Sequence, residues 1–218
     1  DFFFDLDVTA YSECINNIKD LITNNDIEII GTLQSVNLIP KNEVIKKTLN
    51  FSSLKRLDIC CIHIRGGDYK NTIVKPSKKF YTKAIKSVDN IPIKIITDDD
   101  KYASSILPKY EIIKNKKSKF DEITNNHHTG NGIKDDFLLL AKSKYSIISS
   151  STFSFWACYI GSIFVKKKII APAFWYGNRI STGWWSPQEM YLKNWVYFKS
   201  KGFVFKQKIT TLPKFIKT

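Results

Sequence analysis

The sequence predicts an α/β fold: a Rossmann-like, mostly parallel sheet over residues 58–218, preceded by a remnant of another lobe and a linker over residues 1–57. Short continuous apolar runs alternate with segments of helical period, the pattern of βαβ units whose strands are buried on both faces. Several runs end in charged, glycine-rich or hydroxyl-rich residues, where an open parallel sheet binds its ligands. A length of 218 residues holds one large α/β domain with part of a second and is short for two full lobes.

The elements follow in order. From Thr9 to Asn24, Cys14, Ile15, Ile18, Leu21 and Ile22 recur at helical spacing. A short strand over Ile27–Leu33 and a helix opened by Pro40, with Val44, Ile45 and Leu49 on one face, complete the first unit. Strand and helix then alternate: Asp58–Ile64, helix Lys78–Val88, strand Ile91–Ile96, helix Lys101–Leu107, strand Glu111–Lys114. The series continues through helix Lys134–Lys142, strand Tyr145–Ile148, helix Thr152–Gly161 and strand Lys168–Ala171. Lys116–Gly132 is the one long irregular stretch, a candidate segment over the site.

Three strand ends carry chemistry. The first is His63-Ile64-Arg65-Gly66-Gly67-Asp68-Tyr69, in which His63 and Arg65 share a face and two glycines admit a ligand close to the backbone. Arg65 offers a planar fork suited to a diphosphate leaving group. The competing reading pairs Arg65 with Asp68 in a structural turn and packs His63 within the strand. Asp98-Asp99-Asp100 follows the second strand, either as metal-binding carboxylates beside a nucleotide or as an N-cap with dipole stabilisation; no metal is expected. The third, Ser149-Ser150-Ser151-Thr152, opens a helix and reads both as its cap and as an anion site. Asp135 and Asp136 start the preceding helix, where a carboxylate favours the dipole and could also accept two hydrogen bonds from a guanine edge.

Composition removes other classes. The apolar fraction of 43% and charged fraction of 25% are those of a globular protein, and no run of about 18 uncharged apolar residues offers a membrane-spanning helix. The net charge of +14 suggests nucleic acid, yet only Arg56, Arg65 and Arg179 are arginine, and the lysines are spread along the chain among Ile and Asn. A/T-rich coding accounts for that background, so no nucleic-acid partner is expected. Cys14, Cys60, Cys61 and Cys158 have no metal spacing, and adjacent Cys60-Cys61 read as strand residues facing opposite ways in a reduced, cytoplasmic setting. His127-His128 has no partner at ligand spacing. No Gly-x-Ser-x-Gly, His-Glu-x-x-His or P-loop pattern occurs. The chain opens at Asp1 and its only methionine is Met190, so it reads as a fragment or processed form without a signal peptide, membrane-peripheral only through segments outside it.

Taken in order, these segments resemble a known family. Ile62-His63-Ile64-Arg65-Gly66-Gly67-Asp68-Tyr69 resembles the H-x-R-R-G-D-Y motif of the α-1,2-fucosyltransferases, glycosyltransferase family 11, and Ser150–Ala157 is similar to its N-S-T-F-S-W-W-A segment. Ile96-Thr97-Asp98-Asp99 looks like the family's S-D-D, Asp136–Ala141 like its D-L-x-L-M-S helix, and Ile170–Tyr176 like its late strand and aromatic turn. Ile30–Ser35 is faintly similar to its G-Y-W-Q-S. Two departures stand out: the family's second arginine is Gly66 here, which lessens phosphate neutralisation, and its glycine-rich G-G-L-G-N-Q segment is absent, with much of the acceptor lobe.

The resemblance implies a metal-independent, inverting transferase that moves L-fucose from GDP-fucose to a sugar hydroxyl in an α-1,2 linkage. It implies the C-terminal donor-binding lobe of a GT-B-type enzyme, with a nucleotide-sugar donor and a glycan acceptor as partners. By position, Arg65 would neutralise the β-phosphate with help from His63, Asp136 would read guanine, and Ser151, Thr152 and Phe153 would contact phosphates and base. Asp98, in its turn, would support the nucleotide pocket, and Asp68 is the carboxylate assigned to activate the acceptor. Two alternatives stand beside this reading: another nucleotide-sugar donor, or a non-catalytic basic module for glycan or nucleic acid using Trp175, Trp184, Trp185 and Trp195 as a stacking platform or as packing for a C-terminal helix.

Overall fold

The computed structural model describes residues 39–49, 51, 54–67, 69–71, 75–113, 132–173, 179–180, 183–184 and 191–198. The elements expected within residues 1–38, and the Lys116–Asn131 stretch, lie outside the described residues.

A six-stranded, all-parallel sheet organises the chain. Its strands are β1 (Leu57–Ile64), β2 (Ile93–Thr97), β3 (Glu111–Ile112), β4 (Ser143–Ile147), β5 (Lys168–Pro172) and, at the far edge, Val196–Phe198, in the order β3-β2-β1-β4-β5 and then that edge strand. The edge strand is β8, because a separate antiparallel ribbon of β6 (Arg179–Ile180) and β7 (Gly183–Trp184) precedes it. The helices are α1 (Asn42–Thr48), α2 (Lys78–Ile85), α3 (Asp100–Ile106), α4 (Ile133–Lys142) and α5 (Thr152–Phe164). The expected Rossmann-like α/β class is therefore the observed one.

β1 is central, and its sequence shows why it read as an unbroken apolar run. Alternate residues enter two different cores, so neither face can be polar. Cys60, Ile62 and Ile64 pack with Phe80, Tyr81 and Ala84 of α2 and Ala103 of α3. Cys61 joins Leu140 of α4 and Phe155 and Cys158 of α5 on the other side. The adjacent cysteines thus face opposite ways, as expected, and Cys60, Cys61 and Cys158 are free and buried. Burial pushes the Cys60 thiol up to about 12 and raises those of Cys61 and Cys158, which keeps all three protonated. Gly161 lets α5 rest on α4: a Cβ there would overlap the backbone of Ala141.

Several boundaries differ from expectation for local reasons. Pro40 lies outside α1, whose N-cap is Lys41, and Val44 is 52% exposed while Ile45 alone on that helix is buried. The short helix meets the body along one line only. It docks on α5, where Tyr159 Oη donates to Asn42 Oδ1 at 3.2 Å and Phe51 meets Phe164 edge-on at 5.6 Å. β4 begins at Ser143, directly after Lys142 ends α4, two residues before the expected Tyr145. β8 was not expected, and no C-terminal helix occurs among the described residues; Trp195, 5% exposed, packs on Phe155 at 5.1 Å beside that strand.

Candidate functional site

The strand order places a topological switch point between β1 and β4: the chain leaves β1 toward β2 and β3, and leaves β4 toward β5 and β8. In open parallel sheets the crevice for a ligand opens at the carboxyl ends of such a strand pair. The residues delivered there are Arg65-Gly66-Gly67 after β1, Asp98-Asp99 after β2, and Ser149-Ser150-Ser151 after β4.

Arg65 pairs with Asp98. Its Nη1 lies 2.9 Å from Asp98 Oδ2, with the side chains 21% and 11% exposed, and its guanidinium carbon lies 5.7 Å from the centre of the Tyr69 ring. The same carboxylate accepts the backbone N–H of Gly66 at 2.6 Å, so one acid fixes both the cation and the loop that carries it. The partner considered from sequence, Asp68, lies outside the described residues.

The two glycines serve a purpose different from the one expected. A Cβ at Gly66 would overlap Cβ of Asp99, and one at Gly67 would come 2.6 Å from Asp98 Oδ2. They let the loop after β1 lie against the turn after β2, which is a packing requirement of the protein itself. Asp99 meanwhile caps α3, accepting from Tyr102 N at 2.9 Å, and its other oxygen holds Lys70 Nζ at 2.7 Å. The Lys70 hydrogen bond first, then the Tyr102 N–H, hold the Asp99 carboxyl below its usual range. Of the three acids, Asp98 and Asp99 are thus committed to the loop and the helix, and Asp100 is the first residue of α3.

The other flank is uncharged. His63, 5% exposed, shares its Nδ1 with Ser149 Oγ at 2.8 Å and stacks obliquely on Phe153 at 5.7 Å. Burial, and secondarily the charge of Arg65, bring its pKa down to about 3, so the imidazole is neutral at physiological pH. A neutral imidazole adds no second positive charge beside Arg65. The bond between Ser149 and His63 is what sequence reasoning missed. Ser149 stood within the noted serine run, and its contact with a strand residue 86 positions earlier left no local trace.

Ser151 occupies the N-cap of α5 but makes no side-chain cap hydrogen bond. The side-chain cap expected of this run is therefore not made; instead Ser154, one turn in, donates to Ser151 O at 3.0 Å and lies 3.3 Å from Ser149 O, which ties the serine turn to the helix. Thr152 is exposed and Phe153 half-buried, the latter 5.9 Å from Phe137. Phe137 adjoins Asp136, which is 8% exposed in the first turn of α4, whereas Asp135 faces solvent. His63, Ser149, Phe153 and the start of α4 therefore form one contiguous wall, and Arg65, paired with Asp98, follows His63 by two residues. Of the four tryptophans considered for stacking, Trp195 is buried in the core, and the side chains of Trp175, Trp184 and Trp185 lie outside the described residues. Among the described residues no helix is long and apolar enough to cross a membrane.

Comparison with known proteins bears on this arrangement. The sequence model of a family described as Glycosyl transferase family 11 matches residues 39–199. The chain is also 29% identical, over 137 residues, to the O-antigen biosynthesis glycosyltransferase WbnK of Escherichia coli, a match covering 55% of this chain and 40% of that protein. The chain spans well under two thirds of that relative's length. It belongs to glycosyltransferase family 11.

Proposed function

We propose that this member of family 11 transfers L-fucose from GDP-fucose to a sugar hydroxyl with inversion, in an α-1,2 linkage, and that the β1–β4 crevice is its donor site in a GT-B arrangement. The observation that carries the reading is Arg65, oriented by Asp98 at a switch point whose facing wall ends in a helix N-terminus without a side-chain cap.

The chemistry follows from charge. As the bond from the sugar C1 to the β-phosphate oxygen breaks, its electron pair passes to that oxygen, and negative charge grows on the diphosphate. A guanidinium oriented by Asp98 would donate charge-assisted hydrogen bonds to that oxygen, and the N-terminal turn of α5 would add its backbone N–H groups. The acceptor oxygen attacks C1 from the opposite side and loses its proton to a base, a role assigned to Asp68. Asp136 would accept from N1–H and N2–H of guanine, with Ser151, Thr152 and Phe153 against phosphates and base. Arg65 and α5 supply the positive end, so the reaction written this way calls for no metal ion. The O-antigen biosynthesis named for the relative supports a saccharide acceptor.

Titration calorimetry with GDP tests the donor site. The wild type binds, and Arg65→Ala weakens binding about a hundredfold, the scale of losing a bidentate charge-assisted contact. Absent binding, or unchanged binding in Arg65→Ala, overturns the assignment. Because Arg65 and the serine turn recognise phosphate rather than base or sugar, a second reading admits another nucleotide-sugar. A panel of nucleoside diphosphates separates the two, since only the GDP reading predicts that Asp136→Asn loses the preference for guanine.

A further inference from the structure

Position 66 poses a question that the donor reading leaves open: what replaces the cation that a side chain there would have supplied. The loop after β1 folds back so that the N–H of Lys70 donates to the C=O of Gly66 at 2.7 Å, which brings the two residues side by side. Lys70 Nζ then reaches Asp99 Oδ2 at 2.7 Å, on the residue whose Cβ a side chain at Gly66 would overlap. Lys70 thus supplies a cation from the same loop four residues after Gly66, and its side chain remains 44% exposed. Adjacent acids hold the two cations of one loop, Asp98 taking Arg65 and Asp99 taking Lys70.

Resting on the donor reading above, we propose that Lys70 is the second phosphate-binding cation of this site, its ammonium set by Asp99 to meet the diphosphate beside Arg65. An ammonium has three donors, and Asp99 uses one of them in the ion pair seen here. A flexible point charge in place of a second fork gives attraction with less directional demand. Glycine at position 66 leaves room for the acid that holds this lysine: the volume that a side chain would need belongs to Asp99 and Tyr102.

Calorimetry on the full chain tests the assignment, with GDP and guanosine as probes at several salt concentrations. Lys70→Gln is expected to weaken GDP about tenfold, to flatten the salt dependence, and to leave guanosine binding unchanged, while Lys70→Arg restores most of the loss. Asp99→Asn separates ligand contact from loop support. Asparagine caps a helix as well as aspartate does, so this variant keeps the start of α3 but releases Lys70, and should weaken GDP while leaving guanosine binding unchanged. Unaltered GDP binding by Lys70→Gln, or by Asp99→Asn, overturns the role of Lys70 and leaves the donor site standing. No GDP binding by the wild type overturns both.

Discussion

The two flanks of the switch point are made of opposite materials. On the β1–β2 side, Arg65, Asp98, Asp99 and Lys70 form ion pairs that reach solvent. On the β4–α5 side, His63, Ser149, Ser151 and Ser154 are buried and joined by uncharged hydrogen bonds. The difference teaches a division of labour. Ion pairs at the rim of a site can be shared with an incoming anion, whereas buried neutral bonds are costly to break and so fix geometry. Changes on the neutral flank should therefore register in folding, and changes on the ionic flank in ligand binding.

The largest expected effect is acid sensitivity. His63 titrates at about 3 when folded against 6.5 ordinarily, so below pH 6.5 the unfolded chain binds a proton that the folded chain refuses. Stability from this group is fully present above pH 6.5 and drains as pH falls toward 3, by about 1.4 kcal/mol per pH unit. On the ionic flank Asp99, with its carboxyl lowered, begins to lose its contribution only as pH falls into the ordinary carboxylate range, so its window opens after most of His63's has passed. Urea unfolding between pH 4 and 7 should show the slope in the wild type and a shallower one in His63→Gln; equal slopes would break the contrast.

Next comes the contact on which the neutral flank rests. Gly161→Val forces a branched side chain into the backbone of Ala141, and α5 must move off α4 at a cost of about 3 kcal/mol or more. The unfolding midpoint should fall accordingly, and an unshifted midpoint would show that α4 and α5 can separate freely. The smallest effect sharpens the comparison most. Ser149→Ala leaves His63 Nδ1 buried without its hydroxyl and should cost about 1–2 kcal/mol while GDP affinity changes far less than in Lys70→Gln. A loss of GDP binding without loss of stability would place Ser149 with the ligand instead.

Much of this was legible in the sequence, because central parallel strands carry apolar residues on both faces and helices here keep their period. The runs at residues 58–64 and 168–171 lie within β1 and β5 as observed. What could not be read were partnerships between distant segments. Asp98 finds Arg65 only because β1 and β2 lie side by side in the register Ile64 to Thr97. Gly66 and Gly67 looked like room for a ligand, since a glycine signals that a side chain is unwelcome without saying what stands in its way. β8 escaped because three residues at a sheet edge, among aromatics that the core claims, are too short for any period to show.

The seam between α4 and β4 has a consequence for how this lobe tolerates change. Lys142 closes the helix and Ser143 opens the strand, so no connector absorbs an altered chain length. One residue added inside α4 downstream of Asp136 would turn that carboxylate about 100° around the helix axis, away from its buried position. The same residue added before Gly132 leaves the helix in phase with the sheet. Length variation among descendants of this sequence should therefore accumulate upstream of the helix, and engineered insertions belong there too.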